Sequence, residues 1–111
     1  MTAVSVTAPT PAIVYLHGFC SSPASTKARL LAAALASRGL GDRLFCPALS
    51  HVPREAIAQV EAIVEAQRDR PLTLVGSSLG GYYATWLAEK YALRAVLINP
   101  AVVAPISLEQ F

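Results

Sequence analysis

Leu72-Thr73-Leu74-Val75-Gly76-Ser77-Ser78-Leu79-Gly80-Gly81, continued by Tyr82 to Glu89, is the stretch on which the fold turns. A short apolar run passes through a glycine- and serine-rich bend into residues that read as a helix. Glycine stands two residues before and two residues after Ser78, the pattern G-x-S-x-G. A bend of this kind holds its central serine at positive φ and leaves no room for side chains at the flanking positions. Ser77 lacks the flanking pair. The pattern therefore selects Ser78 as a candidate nucleophile, with Gly76 and Gly80 as its supports.

Working outward, residues 1–11 are rich in Thr, Ser, Ala and Pro and read as a loose tail. Ala12 to Leu16 reads as a short buried strand, followed by a turn-rich loop from His17 to Ser22. Ser22-Pro23 predicts a helix cap with proline at the first helical position. Leu30, Leu31, Ala34 and Leu35 recur at helical spacing, and Gly39 supplies the stop. Leu44 to Cys46 is a second strand closed by Pro47. Ala56, Ile57, Val60, Ile63 and Val64 form one face of a helix from about Pro53 to Arg68. Leu72 to Val75, Ser78 to Tyr91 and Ala95 to Ile98 complete a strand–helix–strand unit. The alternation βαβαβαβ predicts an α/β fold, a parallel sheet with helices on both faces, in a single domain.

The chain has 111 residues, 54% hydrophobic and 14% charged. An average soluble domain is about 25% charged, and the apolar excess fits parallel strands buried on both faces, or a piece with an uncovered partner surface. A net charge of +2 spread over scattered Lys and Arg forms no basic stripe, which argues against a nucleic-acid partner. Cys20 and Cys46 are too few for a disulfide scaffold and lack metal-ligand spacing, so thiols in a reducing compartment are expected. The apolar segment from Lys27 to Ala36 lies behind a strand and loop, unlike a signal peptide. No apolar run approaches the ~18 residues of a membrane span. These readings predict a cytoplasmic protein with no membrane partner.

Ligands of open α/β sheets bind beyond the carboxyl ends of the strands. Two loops are marked there, His17-Gly18-Phe19 and Gly76 to Gly80. An acyl-transfer site needs two backbone N–H groups aimed at a developing oxyanion. Leu79, directly after the serine, is one expected donor; Phe19 is the other, with Cys20 second in line. His17 is expected to brace its loop through backbone bonds. His51, beyond the second strand, is expected about 10 Å from Ser78 on a surface loop. Glu89 belongs to a solvated helix face, and Glu109 is the other acid after Ser78. Tyr82, Tyr83 and Trp86 read as core residues of the helix after the bend, with Tyr82 or Tyr83 a candidate pocket wall. No metal ligands and no cofactor are implied.

Tyr15-Leu16-His17-Gly18-Phe19 with Ser21-Ser22-Pro23, the run from Val75 to Leu87, and Asn99-Pro100-Ala101-Val102 together resemble the YqiA-like esterases, small bacterial α/β-hydrolases. The resemblance covers about residues 12–109. It implies a partial α/β-hydrolase three-layer fold with four parallel strands in the order 2-1-3-4. It also implies hydrolysis of carboxylic esters with short acyl chains by Ser78, without a cofactor. Cys20 departs from the family, in which a polar residue is expected. The family's domain is nearly twice this length, and in this fold the acid and base follow the nucleophile. The stretch from Ser78 to Phe111 holds no histidine and no aspartate. Residues 12–111 are thus expected to be the N-terminal part of such a domain, weakly active or inactive alone. A thioesterase, acyltransferase or lyase of the same superfamily is the alternative, as is a non-catalytic degenerate fragment. The strand from Ala95 to Ile98 is expected to be an exposed edge prone to self-association.

Overall fold

Apolar runs become strands and 3.6-residue patterns become helices in the computed structural model, which describes residues 10–18 and 25–98. The chain forms β1 (Ala12–Leu16), α1 (Thr26–Ser37), a single 3₁₀ turn (Gly41–Arg43) and β2 (Leu44–Phe45). It continues through α2 (Pro53–Ala66), β3 (Leu72–Ser77), α3 (Leu79–Tyr91) and β4 (Arg94–Ile98). All strand pairs are parallel, in the order β2-β1-β3-β4. Leu16 lies beside Gly76, and Ser77 beside Ile98. The chain winds outward from β1 to β2, returns to the other side of β1, and winds outward again. The strand order reverses between β1 and β3, where diverging loops leave a crevice at the carboxyl edge.

Strand alternation divides the side chains between two layers. Ala12, Val14, Leu16, Leu72 and Leu74 meet Ala56, Ile57, Val60 and Val64 of α2 and Tyr83, Ala84 and Leu87 of α3. Every one of these residues is buried. Burying a side chain such as Leu74 or Leu87 stabilises by roughly 1.5–3 kcal/mol. On the opposite face, Tyr15 and Val75 pack with Ala28 of α1, flanked by partly buried Ile13, Leu31 and Ile98. The expected α/β sandwich, with this strand order and helices on both faces, is the fold of the protein.

Local details depart from the sequence reading. The N-cap of α1 is Ser25, whose hydroxyl accepts from the Ala28 amide, rather than Ser22. Ser22 and Pro23 lie outside the described residues. Leu30, expected on the apolar face of α1, is 66% exposed. A helix packing on one side of a sheet rim leaves part of its apolar stripe to solvent, and Leu31 rather than Leu30 faces inward. Helix α2 begins with Pro53 at its first turn and no capping side chain at Val52. Ser50 compensates, accepting from the Val52 amide and donating to Glu55. Among the described residues strand β4 pairs with β3 only, and Val96 and Leu97 are 50% and 44% exposed.

Candidate active site

The turn between β3 and α3 is as sharp as its glycines require. Ser78 has φ 53° and ψ −119°, a conformation that L-residues rarely adopt and that costs of order 1–3 kcal/mol unless its surroundings hold it. Those surroundings are specific. The Ser78 amide donates to the Ile98 carbonyl at 3.2 Å, and its carbonyl accepts from the Gly81 amide at 2.9 Å. The edge strand β4 thus anchors the bend from one side and the first turn of α3 from the other.

The glycines on either side of Ser78 permit two close backbone approaches. A Cβ at Gly76 would lie 2.3 Å from the Gly80 carbonyl oxygen. One at Gly80 would lie 2.1 Å from the Leu16 carbonyl oxygen. Both obstacles are backbone, which cannot swing away. Gly80 therefore lets α3 start directly on β1, and this contact sets Ser78 at the crevice where the strand order reverses. Gly18 closes the arrangement from the β1 side: a Cβ there would come within 2.9 Å of the Ser78 Cβ and 3.6 Å of its Oγ. The loop after β1 and the bend after β3 thus meet at the serine.

His17 is buried and makes two bonds. Its Nδ1 lies 2.9 Å from the Gly18 carbonyl oxygen, and its Nε2 accepts from the Leu49 amide at 2.8 Å. This pattern fits the neutral tautomer with the proton on Nδ1. The imidazole joins the loop after β1 to the loop after β2, and neither ring nitrogen is left to serve Ser78. His51 is exposed and lines a small depression with His17, Gly18, Leu49, Ser50, Leu79 and Tyr83. It is thus brought to the Leu79 side of the crevice. Tyr83 is both core residue and wall of this depression, and burial pushes its phenol pKa up. Glu89 is exposed on α3, and Trp86 packs against the core.

On the other side of Gly18 lies an open groove of about 340 Å³ that contains Ser78. Tyr15 and Gly18 form one wall, Ser25, Thr26 and Lys27 at the start of α1 another, and Ser77 the floor beside the serine. Sequence reasoning singled out none of Ser25, Thr26 and Lys27, for no local pattern relates them to a serine some fifty residues away.

Two backbone donors were expected. Leu79 is the first residue of α3, and amides of a first helical turn have no intrahelical acceptor. Phe19 and Cys20 lie outside the described residues, as does Glu109. Among the described residues no cluster of His, Cys, Asp and Glu is arranged to hold a metal ion. None of their helices is long and apolar enough to cross a membrane. Cys46 is half-buried, and desolvation pushes its thiol pKa up.

A family model described as an uncharacterised protein family, UPF0227, matches residues 12–111. This corrects the assignment drawn from the motifs: the match is to UPF0227 and runs over nearly the whole chain, not to an N-terminal half of the YqiA-like esterases. Motifs around a nucleophile-type bend are shared widely within a superfamily, so they locate a fold better than a family. Among solved structures, a protein from Agrobacterium vitis S4 described as a "putative hydrolase" superposes with a TM-score of 0.70 at 22% identity. The superposition covers 90% of this chain and 48% of that one, so the chain spans about half the length of the structure it matches. At this identity the likeness shows a shared α/β fold.

Proposed function

The chain belongs to the uncharacterised family UPF0227, and on that premise we propose that it carries the nucleophile of a serine esterase, Ser78. The observation that carries the reading is the conformation of this residue. Its φ of 53° sits on a bend where Gly76 and Gly80 tolerate no side chain and Gly18 packs against its Cβ. Nothing in packing the core asks for so strained a serine at the mouth of a crevice, whereas presenting a hydroxyl to a substrate does.

In this reading Ser78 Oγ attacks the carbonyl carbon of a small carboxylic ester and its proton passes to a base. The bond to the alcohol oxygen then breaks, the alcohol leaves with a proton, and water releases the acid from the acyl-enzyme. The Leu79 amide, with Phe19 as its proposed partner, stabilises the oxyanion of the tetrahedral intermediate. Removing a donor of this kind costs about 3 kcal/mol of transition-state stabilisation elsewhere. The base is not His17, whose ring nitrogens are committed to Gly18 and Leu49. The groove volume of about 340 Å³ suits a short acyl group. The reading needs no cofactor. Self-association through β4, where Val96 and Leu97 are exposed on the two faces, belongs to the same proposal.

A fluorophosphonate probe tests the assignment. In a catalytically complete form, wild type and Ser77→Ala should be labelled and Ser78→Ala should fall to background. In that form, loss of the serine should cost on the order of 10⁶ in kcat. Labelling that survives in Ser78→Ala and disappears in Ser77→Ala would transfer the role to Ser77.

A further inference from the structure

The groove that contains Ser78 has a mixed apolar and polar lining. Pockets for apolar groups are walled mainly by aliphatic and aromatic side chains. Here the described walls set the aromatic Tyr15 beside the hydroxyl residues Ser25, Thr26, Ser77 and Ser78 and one ammonium, Lys27, with no carboxylate among them. The apolar residues Leu49, Leu79 and Tyr83 lie on the far side of Gly18 instead.

Lys27 itself is placed against the local preference. A helix N-terminus is the positive end of the helix dipole, and acidic residues are favoured there. Helix α1 has no acid in its first turn and carries Lys27 and, two residues on, Arg29. The ion pairs among the described residues join Glu65 to Arg68 and Glu61 to Lys90, so Lys27 has no carboxylate partner among them. An exposed lysine with no carboxylate partner among the described residues, on the wall of the groove that holds a strained serine, offers that groove a positive charge.

Resting on the reading of Ser78 as nucleophile, we propose that Lys27 selects esters whose acyl chain carries a carboxylate. The acyl chain is the half of an ester that stays joined to Ser78, and the groove containing Ser78 is the one walled by Lys27. An anionic end would meet the ammonium, and the neighbouring hydroxyls would supply hydrogen bonds in place of water. A purely alkyl chain would desolvate these groups without compensation.

Matched p-nitrophenyl esters test this on the full chain: the hemiglutarate, with a carboxylate at the end of its acyl chain, against the neutral butyrate. First-turnover release of nitrophenolate gives the acylation rate, and mass spectrometry locates the adduct on Ser78. The hemiglutarate-to-butyrate rate ratio should fall about fivefold in Lys27→Gln, the scale of a partly exposed ion pair at low ionic strength. It should recover in Lys27→Arg, fall further in Lys27→Glu, and shrink in wild type as salt is raised. A ratio unchanged by all three substitutions, with both esters acylating Ser78, overturns the role of Lys27 and leaves the nucleophile standing. Failure of both esters to acylate Ser78, in variants whose thermal melts match wild type, overturns the nucleophile and this proposal with it.

Discussion

Against the sheet face built from Val14, Leu16, Leu72 and Leu74, helices α2 and α3 set Ala56, Val60, Val64, Ala84 and Leu87, all of them buried. Against the opposite face, helix α1 sets one buried residue, Ala28, and leaves Leu30 66% exposed. In sequence β1 is apolar at odd and even positions alike, whereas β3 sets Thr73 and Ser77 beside Val75 on the α1 side. The two faces also differ in what covers them. One face holds the fold together; the other carries the groove at Ser78, bordered by the more lightly packed helix.

The comparison breaks most directly under paired truncations. Leu74→Ala should lower unfolding free energy by about 2–5 kcal/mol, because a fully buried leucine leaves a cavity that its neighbours fill only in part. Leu31→Ala, on the partly buried face of α1, should cost under about 1 kcal/mol. Urea titration followed by fluorescence of the single tryptophan, Trp86, measures both. Equal costs would mean that the two faces contribute alike.

The edge strand sharpens the same contrast. By register Val96 shares the face of Val75 and Leu97 the face of Gly76, so β4 is uncovered on both sides of the sheet. Without charges or prolines along its outer rim beyond Arg94, such an edge favours association. Light scattering at micromolar concentration should show wild type associated and Val96→Lys shifted toward monomer. The change in stability should stay within about 0.5 kcal/mol, as expected of an exposed position. A monodisperse wild-type monomer would remove β4 from consideration as a contact surface.

The smallest effect is expected where α2 and α3 are tied at the surface. Glu61 accepts from Lys90 and from the Tyr91 hydroxyl, and Lys90 lies over the Trp86 ring at 5.1 Å. The Lys90 bond, aided by Tyr91 and opposed by partial burial, holds the Glu61 carboxyl below its usual range. A carboxyl with a depressed folded-state pKa contributes its stability above the unfolded pKa and loses it as pH falls through the folded one. Glu61→Gln should therefore lower Tm by no more than about 2 °C near neutrality, and by nothing once acid has protonated the wild-type carboxyl. A Tm difference that persists in acid would place its origin in packing.

Much of the fold was legible because its signals are local. The four strands, the three helices and their alternation follow from apolar runs, helical spacing and glycine or proline stops within a few residues. So does the bend at Ser78, since the demand for glycine at positions 76 and 80 is steric and reaches only to adjoining backbone. Exact ends were less legible. Ser25 caps α1 although Ser22-Pro23 offers the stronger sequence signal, and β3 runs on to Ser77 through its pairing with Ile98. The family was misjudged for a related reason, as short motifs in a few loops and bends speak for a superfamily.

By itself the sequence determined the α/β alternation, the parallel sheet and the strained serine between β3 and α3, for these rest on short-range sterics and periodicity. Only the tertiary structure decided which side chains surround that serine. It bonded His17 to Leu49, thirty-two positions away, and so withdrew the imidazole from Ser78. Among the described residues it covered one sheet face with two helices and the other with one. It also brought Lys27 to the wall of the groove at Ser78. Such neighbours are set by how helices pack across a sheet, and that packing depends on contacts between residues far apart in the chain, which no local pattern records.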